Sequence, residues 1–523
     1  MIAPIDNRPS GSKTPLEYRP RNYVIAKDTF LVVKSSTDLE SDEFESILFR
    51  KISSQEVGVI ATDKDDFSNA NLLLIQNESD LEGDALKDEL ESDNQIELVT
   101  PSLINEYGDI SPVDPRKIIV SLTTNSAVER SRFARDYDLN LVWHDYNGGE
   151  SLYRHKEPKL LELLEKLNDD DRVLFAEPDI LDYIDVDEDD LDYVSDLENN
   201  AAEKIPSFLW NHELIELTEA NKLSKGKGVI IAVVDALSDL NHPDLQGVFL
   251  STSDQLNFAK ELSMRNHGTR ILGIIAGQTR LKNGKVLGIS PKAKILPLAI
   301  HPAGLEGYSI RAKAINFLAA IARRKRWYDA SQQRELKISR LIVNCSWKLK
   351  TTRNLIAMEE AFKRLVNAGA IVVCSAGNKN IEQVHFPSDY PGCLSIAAVQ
   401  SNNSKNSSSN YGYNIDLSAP GGDGFPSDSG DIWSLKKGGK YGYAAGTSFA
   451  APHVSATIAL IWSLMPDASA QQVLQLLREY GLDDINRYNS NLEGKLGEGR
   501  VNAKRAVEAA SRWNSLRRLR SSR

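Results

Sequence analysis

Between residues 229 and 399 the chain returns five times to a short apolar run, at 229–234, 295–299, 341–345, 370–374 and 394–399. A strand with one wet face alternates apolar and polar side chains, whereas a strand covered on both faces does not. These runs lack the alternation, so each needs a layer above and below it. The covering layers lie between the runs. One amphipathic stretch carries Ile310, Ile315, Leu318 and Ile321 with Ser309 as a candidate cap, and another carries Leu355, Ala361, Phe362 and Leu365 between Thr352 and Gly369. Further helices are expected at 470–480 and 502–513. Strands alternating with helices predict an α/β domain, a parallel sheet flanked by helices, over residues 205–512.

A chain of 523 residues exceeds what one hydrophobic core organises, so further domains are required. Two units of related pattern precede the sheet, at 21–110 and 111–184. The first opens on the apolar run 30–33, turns helix-like around 86–90 and closes at 99–104. The second opens at 117–120, turns helix-like at 159–167 and closes at 176–181. Strand, mixed region, helix and strand in that order suit a small α+β split βαβ sandwich, used twice. Residues 181–200 hold nine acidic side chains and no basic one, the composition of a solvated linker, which we place at 185–204. Residues 1–20 are expected to be a disordered arm and 513–523 a basic tail.

Composition narrows the function classes. Lys plus Arg number 62 against 73 Asp plus Glu, a net charge of −11, which speaks against a general nucleic-acid binder. Cys345, Cys374 and Cys393 are odd in number and lie in apolar stretches, so they read as buried small hydrophobes rather than a disulfide framework or a metal cluster. No stretch approaches the roughly 18 apolar residues of a membrane span. The first residues show no basic start followed by an apolar run, and the expected location is the cytoplasm.

Three residues carry candidate chemistry. Asp235 ends the first apolar run, and sites in open parallel sheets form beyond the carboxyl ends of strands. His267 stands before Gly268 at the start of an apolar helix. Ser448, in Gly446-Thr447-Ser448, opens a long apolar helix with Pro452 near its start; a helix N-terminus offers free N–H groups and the positive end of the dipole, both suited to a developing oxyanion. Each alone is compatible with a structural role. Together they stand in the chain order Asp, His, Ser of one serine-protease triad.

At this point the chain resembles the subtilisin-like serine proteases, over about residues 205–510. The resemblance rests on Asp235 with His242-Pro243-Asp244-Leu245, His267-Gly268-Thr269, and Gly446-Thr447-Ser448 with Ala451-Pro452. Lesser landmarks follow in order: Leu287-Gly288-Ile289-Ser290-Pro291, Ser375-Ala376-Gly377-Asn378, Leu417-Ser418-Ala419-Pro420-Gly421 and Gly499-Arg500-Val501-Asn502-Ala503. It implies a subtilisin-like fold and a serine endopeptidase. Ser448 would attack the scissile carbonyl, His267 would relay its proton, Asp235 would orient the imidazole, and Asn378 would donate its side-chain amide to the oxyanion. Ser346, Trp347, Ser375, Ala376 and Gly377 would line the substrate groove. The unit ending Phe175-Ala176-Glu177-Pro178-Asp179 resembles the family's ferredoxin-like inhibitory prodomain. The implied partners are protein or peptide substrates and the chain's own prodomain, which would keep the enzyme latent until cleavage near the acidic linker.

The departures from the family pattern carry their own expectations. Ala236 and Leu237 follow the catalytic Asp where a small hydroxyl residue and a glycine are usual, so Asp235 is expected to lose a hydrogen bond. Arg270 replaces a commoner histidine, Lys348 stands where a groove glycine is common, and 323–340 looks like an insertion. Asp244 matches a calcium ligand of many relatives. The partner loop here is short and carries Lys282 and Lys285, so no metal or other cofactor is expected beyond a weak or lost calcium site.

Overall fold

The structure is a computed structural model that describes residues 113–180 and 205–521, less short stretches within them, and chiefly the strands of the segment before residue 113. The expected arm at 1–20 and linker at 185–204 lie outside the described residues.

Two antiparallel sheets come first. Strands β1 (Val24–Lys34), β2 (Val57–Val59), β3 (Leu72–Asn77), β4 (Ile96–Ile104) and β5 (Ile110–Ser111) form one, in the order β2-β3-β1-β4-β5. The second is built from β6 (Val113–Leu122), helix α1 (Ala127–Asp136), β7 (Leu139–His144), β8 (Glu150–His155), α2 (Leu160–Asn168) and β9 (Val173–Ile180), in the order β7-β8-β6-β9. In both, the second strand pairs with the third, the third with the first and the first with the fourth. The two sheets share this strand order; of the helix-like stretch expected at 86–90, only Leu90 lies within the described residues. Ser126 caps α1 through its side chain, and α2 buries Leu160, Leu163, Leu164 and Leu167 against the sheet.

After the short helices α3 (Trp210–Leu214) and α4 (Leu217–Leu223) comes the large sheet. Its strands are β10 (Ile230–Asp235), β11 (Leu256–Asn257), β12 (Lys294–Ala299), β15 (Leu341–Cys345), β16 (Ile371–Ser375), β17 (Cys393–Val399), β18 (Leu417–Pro420), β21 (Leu482–Asp483) and β22 (Arg500–Val501); a separate hairpin, β13 (Arg326–Asp329) with β14 (Arg334–Lys337), accounts for the insertion. The order is β11-β12-β10-β15-β16-β17-β18-β22-β21, parallel except at the last pair. A second hairpin joins β19 (Ile432–Lys436) to β20 (Lys440–Ala444).

Side chains of β10 divide between the two faces. Ile231 and Val233 join a core with α5 (Asn266–Ala276), α8 (Thr447–Leu464) and α10 (Ala503–Ser521), and α9 (Ala470–Tyr480) packs there too. Ile230, Ala232 and Val234 join a core with α6 (Ser309–Arg324) and α7 (Ile356–Asn367). That second core runs on into the β6–β9 unit through Ile118, Phe133 and Leu164. Burying both faces is what the unalternating runs require.

The β6–β9 unit sits on α6 and α7 through polar contacts as well. Glu177 accepts the N–H groups of Ile356 and Ala357, each at 2.8 Å, and Asp179 accepts the Ser309 N–H at 3.2 Å. The first free amides of both helices are therefore satisfied by carboxylates from the preceding unit, at the positive ends of their dipoles. This corrects the caps expected from sequence. Ser309 is the first helical residue rather than the cap, and Thr352 lies outside the described residues. Alongside, Asn316 Nδ2 donates to Asp145 (2.9 Å) and Glu150 (3.1 Å), and Arg364 pairs with Glu150 at 2.6 Å. Burial pushes the carboxyl of Asp179 up to about 6 and raises that of Glu150, which Arg364 opposes.

Candidate active site

Strands β10, β15 and β16 are neighbours, and their carboxyl ends deliver Asp235, Ser346 and Ser375 to one edge of the sheet. Asp235 is 1% exposed. Its Oδ1 accepts from His267 Nδ1 at 2.7 Å and from the Ala236 N–H at 2.8 Å. An ionised carboxylate only accepts, so the contact fixes the proton on Nδ1 and leaves Nε2 of the neutral ring as the base. Asp235 Oδ2 is buried with no hydrogen-bond partner among the described residues. Gly268 lets α5 come this close: a Cβ there would lie 2.4 Å from Ser238 Oγ, 2.9 Å from the Ala236 carbonyl and 3.2 Å from Asp235 Oδ1.

Ser448 lies in the first turn of α8. Its Oγ donates to the Ser346 carbonyl at 3.3 Å, and the Ser346 hydroxyl donates back to the Ser448 carbonyl at 2.8 Å. That second bond has a cause within the helix. Pro452 has no N–H to offer the carbonyl four residues earlier, and Ser346 supplies the missing donor. Asn344 then bonds Ser346, and Ser455 bonds Asn344, so the Ser448 turn is tied to β15 through a buried chain.

Asn378 follows β16. Its Oδ1 accepts the Thr447 N–H (2.8 Å) and the Thr447 hydroxyl (2.7 Å), and Thr447 Oγ1 accepts the Gly377 N–H (3.0 Å). Two donors on the oxygen settle the orientation of the amide. Nδ2 is buried with no hydrogen-bond partner among the described residues. A buried donor left open is costly unless a ligand completes it. Gly446, at φ 137°, passes beneath, where a Cβ would lie 3.0 Å from that nitrogen.

The remaining predicted residues take two orientations. Ser375, Ala376 and Gly377 continue β16 toward Asn378. Trp347 is 6% exposed; its Nε1 donates to the Val234 carbonyl at 2.9 Å and its ring lies beneath the Arg311 guanidinium, 4.7 Å away. Its ring thus faces the α6 side, and its main chain continues from Ser346. Thr447 and the Ser346 carbonyl were missed by sequence reading. Thr447 neighbours Ser448 and carries a hydroxyl, a signal that could have found it.

Asp244, the candidate calcium ligand, is engaged within the protein. Its Oδ2 is taken by the hydroxyls of Thr279 (2.6 Å) and Tyr441, and burial together with this carboxylate pushes the Tyr441 phenol up to about 12. Lys285 of the facing loop pairs with Glu213 at 2.8 Å. A hard dication takes oxygen ligands without protons toward it, and both donors here present protons to the carboxylate. Among the described residues no group of His, Cys, Asp or Glu is arranged to hold a metal, and no helix is long and apolar enough to cross a membrane. The three cysteines are buried thiols.

The model of the subtilase family matches residues 226–493. Among similar proteins, the thermophilic serine proteinase of Bacillus sp. (strain AK1) is 32% identical over 244 residues, 46% of this chain and 54% of that protein. Thermitase of Thermoactinomyces vulgaris is 29% identical over 56% of this chain and 94% of its own length. The major intracellular serine protease of Bacillus subtilis is 30% identical over 46% of this chain and 70% of its own. The chain spans about half the length of the first of these, 54%. The crystal structure of fervidolysin from Fervidobacterium pennivorans superposes with a TM-score of 0.56 at 22% identity, covering 75% of this chain and 61% of that one, and shares the fold. The matched region covers half of the chain, from β10 through β21, and includes Asp235, His267, Asn378 and Ser448, so the chain belongs to the subtilase family.

Proposed function

We propose that this chain is a serine endopeptidase that hydrolyses peptide bonds through an acyl-enzyme on Ser448. The observation that carries the reading is the Asp235–His267 contact at 2.7 Å, which leaves His267 Nε2 as the base, on a ring that packs 5.8 Å from that of Phe449, the residue next to Ser448. In this reading His267 takes the Ser448 proton as Oγ attacks and returns it to the leaving amine, and a water repeats the sequence on the ester. Asn378 Nδ2 and the Ser448 N–H receive the oxyanion. The main chain of Ser346 and Trp347 and that of Ser375, Ala376 and Gly377 form the walls along which substrate lies.

The β6–β9 unit serves as an intramolecular prodomain inhibitor. Its carboxylates cap α6 and α7, and the Tyr308 N–H donates to the Ile180 carbonyl at 3.0 Å, so the unit's last described residue is anchored beside the peptidase domain. A tethered blocker acts at high effective concentration, so modest intrinsic affinity is enough to suppress activity. Cleavage within 181–204 then activates. A cytoplasmic location accords with the intracellular relatives from Bacillus subtilis and Paenibacillus polymyxa. Peptide hydrolysis by the intact chain and by the same sample severed in that segment tests the latency. Greater activity after severing supports it, and equal activity removes it while leaving the peptidase reading in place.

A further inference from the structure

A cation is built into the loop behind the oxyanion residue. Lys405 is half-buried, and its Nζ donates to Asn406 O (2.7 Å), Asn380 Oδ1 (2.9 Å), Ser409 O (2.9 Å) and Ser407 O (3.2 Å), with the Tyr411 ring 5.6 Å away. Three of these oxygens are main-chain carbonyls converging from one short turn. Carbonyl dipoles aimed at a single point repel one another unless a positive charge sits there, as in the carbonyl rings that replace an ion's water. The turn therefore holds its shape around the ammonium.

That turn supports the segment that carries Asn378. Asn380, two residues on, sits at φ 51° and gives its N–H to the Ser408 carbonyl at 2.6 Å. Asn410 Oδ1 accepts the N–H groups of Lys379 (2.9 Å) and Ile381 (3.3 Å), and Asn410 also donates to the carbonyls of Gly377 (2.8 Å) and Ala376 (3.1 Å). Residues 376–381 thus rest on 405–410 along their length, and the Lys405 ammonium both closes the turn and crosses to Asn380.

We propose that Lys405 is a positioning residue for the oxyanion donor Asn378, its ammonium occupying what is chemically a monovalent-cation site made of loop carbonyls. The inference rests on the reading of Asn378 as oxyanion donor. Because Lys405 acts through Asn378, removing it lowers kcat with little change in KM, by about 10- to 100-fold for a displacement near 1 Å. It costs nothing further once Asn378 is gone.

The experiment measures kcat and KM for peptide hydrolysis by the full chain, severed within residues 181–204, bearing Lys405→Ala, Asn378→Ala, or both, with ammonium or potassium chloride added and choline chloride as the control for ionic strength. The expected result is a kcat loss in Lys405→Ala that ammonium or potassium partly restores and choline does not, and a double variant no slower than Asn378→Ala. Wild-type kcat in Lys405→Ala, losses that multiply in the double variant, or a loss that no small cation restores would overturn the proposal. If Lys405→Ala does not fold, Asn380→Gly removes the crossing side chain while tolerating the φ of 51° at that position; the same non-additive loss supports the proposal and wild-type kcat overturns it. Wild-type kcat in Asn378→Ala itself would instead remove the oxyanion reading, and is read separately from the Lys405 result.

Discussion

His267 Nδ1 meets Asp235 Oδ1 at 2.7 Å, and the other oxygen of that carboxylate is buried with no hydrogen-bond partner among the described residues. The carboxylate is held by two donors at one oxygen, His267 and the Ala236 N–H. Its task is to fix the tautomer. Asp235→Asn reverses that task by offering an N–H to Nδ1, and kcat should fall by on the order of 10⁴ while KM stays near wild type. Steady-state peptide hydrolysis checks it; a fall of less than tenfold would mean that His267 is oriented by something else.

Asn378→Ala should lower kcat by about 10²–10³ with KM little changed, because a donor to the oxyanion acts only once charge develops. Thr447→Val should lower it less. It removes the hydroxyl that bonds Asn378 Oδ1 at 2.7 Å and leaves the amide bond from the Thr447 N–H. Equal KM and graded kcat across the two variants is the pattern to look for.

How much of this was legible beforehand depends on the reach of the signal. Asp235, His267 and Ser448 stand in local motifs whose order names the triad, and the unalternating runs dictate a sheet covered on both faces. The caps were not legible. Glu177 reaches amides 179 positions away, and no local pattern at Thr352 or Ser309 reports a carboxylate arriving from another unit. Lys405 was equally silent, since most of its partners are main-chain carbonyls in a loop of Ser and Asn. Beyond a strand's end the alternation rule lapses, so the inward turn of the Trp347 ring could not be read from its neighbours.

Acid should act on the two parts of the molecule with opposite sign. The Asp179 carboxyl is raised from 3.8 to about 6, so its neutral form is favoured in the folded, docked state. The stability this gives is fully present below about pH 4 and is lost as pH rises through about 6. Thermal unfolding of the Ser448→Ala chain, with and without Asp179→Asn, should show the Asn variant gaining on its parent as pH rises from 4 to 7. Parallel curves would contradict the assignment.

In the peptidase domain, His212 and His453 are fully buried, and burial pushes them down to about 3 and about 4 from an ordinary 6.5. Neutral imidazoles are favoured in the fold, so their contribution is present above pH 6.5 and is lost as pH falls toward 4. His453 is held at both nitrogens, by Asn211 and by the Phe449 carbonyl, in α8, whose first turn carries Ser448. His453→Gln should flatten the acid limb of the melting curve. An unchanged slope would place the acid sensitivity elsewhere.

A chelator should leave the melting temperature unchanged, because the Asp244 carboxylate is satisfied by the Thr279 and Tyr441 hydroxyls. A shift of more than about 3 °C, on the order of 1 kcal/mol for a large domain, would point to a bound dication.

The most direct test of the peptidase reading is covalent. After cleavage within residues 181–204, wild-type and Ser448→Ala chains are treated with a serine-directed phosphonyl fluoride, and peptide hydrolysis is followed beside peptide mass mapping. The account predicts one adduct, on Ser448, with hydrolysis lost in proportion to labelling and almost absent in Ser448→Ala. An adduct on another residue that abolishes hydrolysis, or a Ser448→Ala chain that cuts peptides at the wild-type rate, would contradict it.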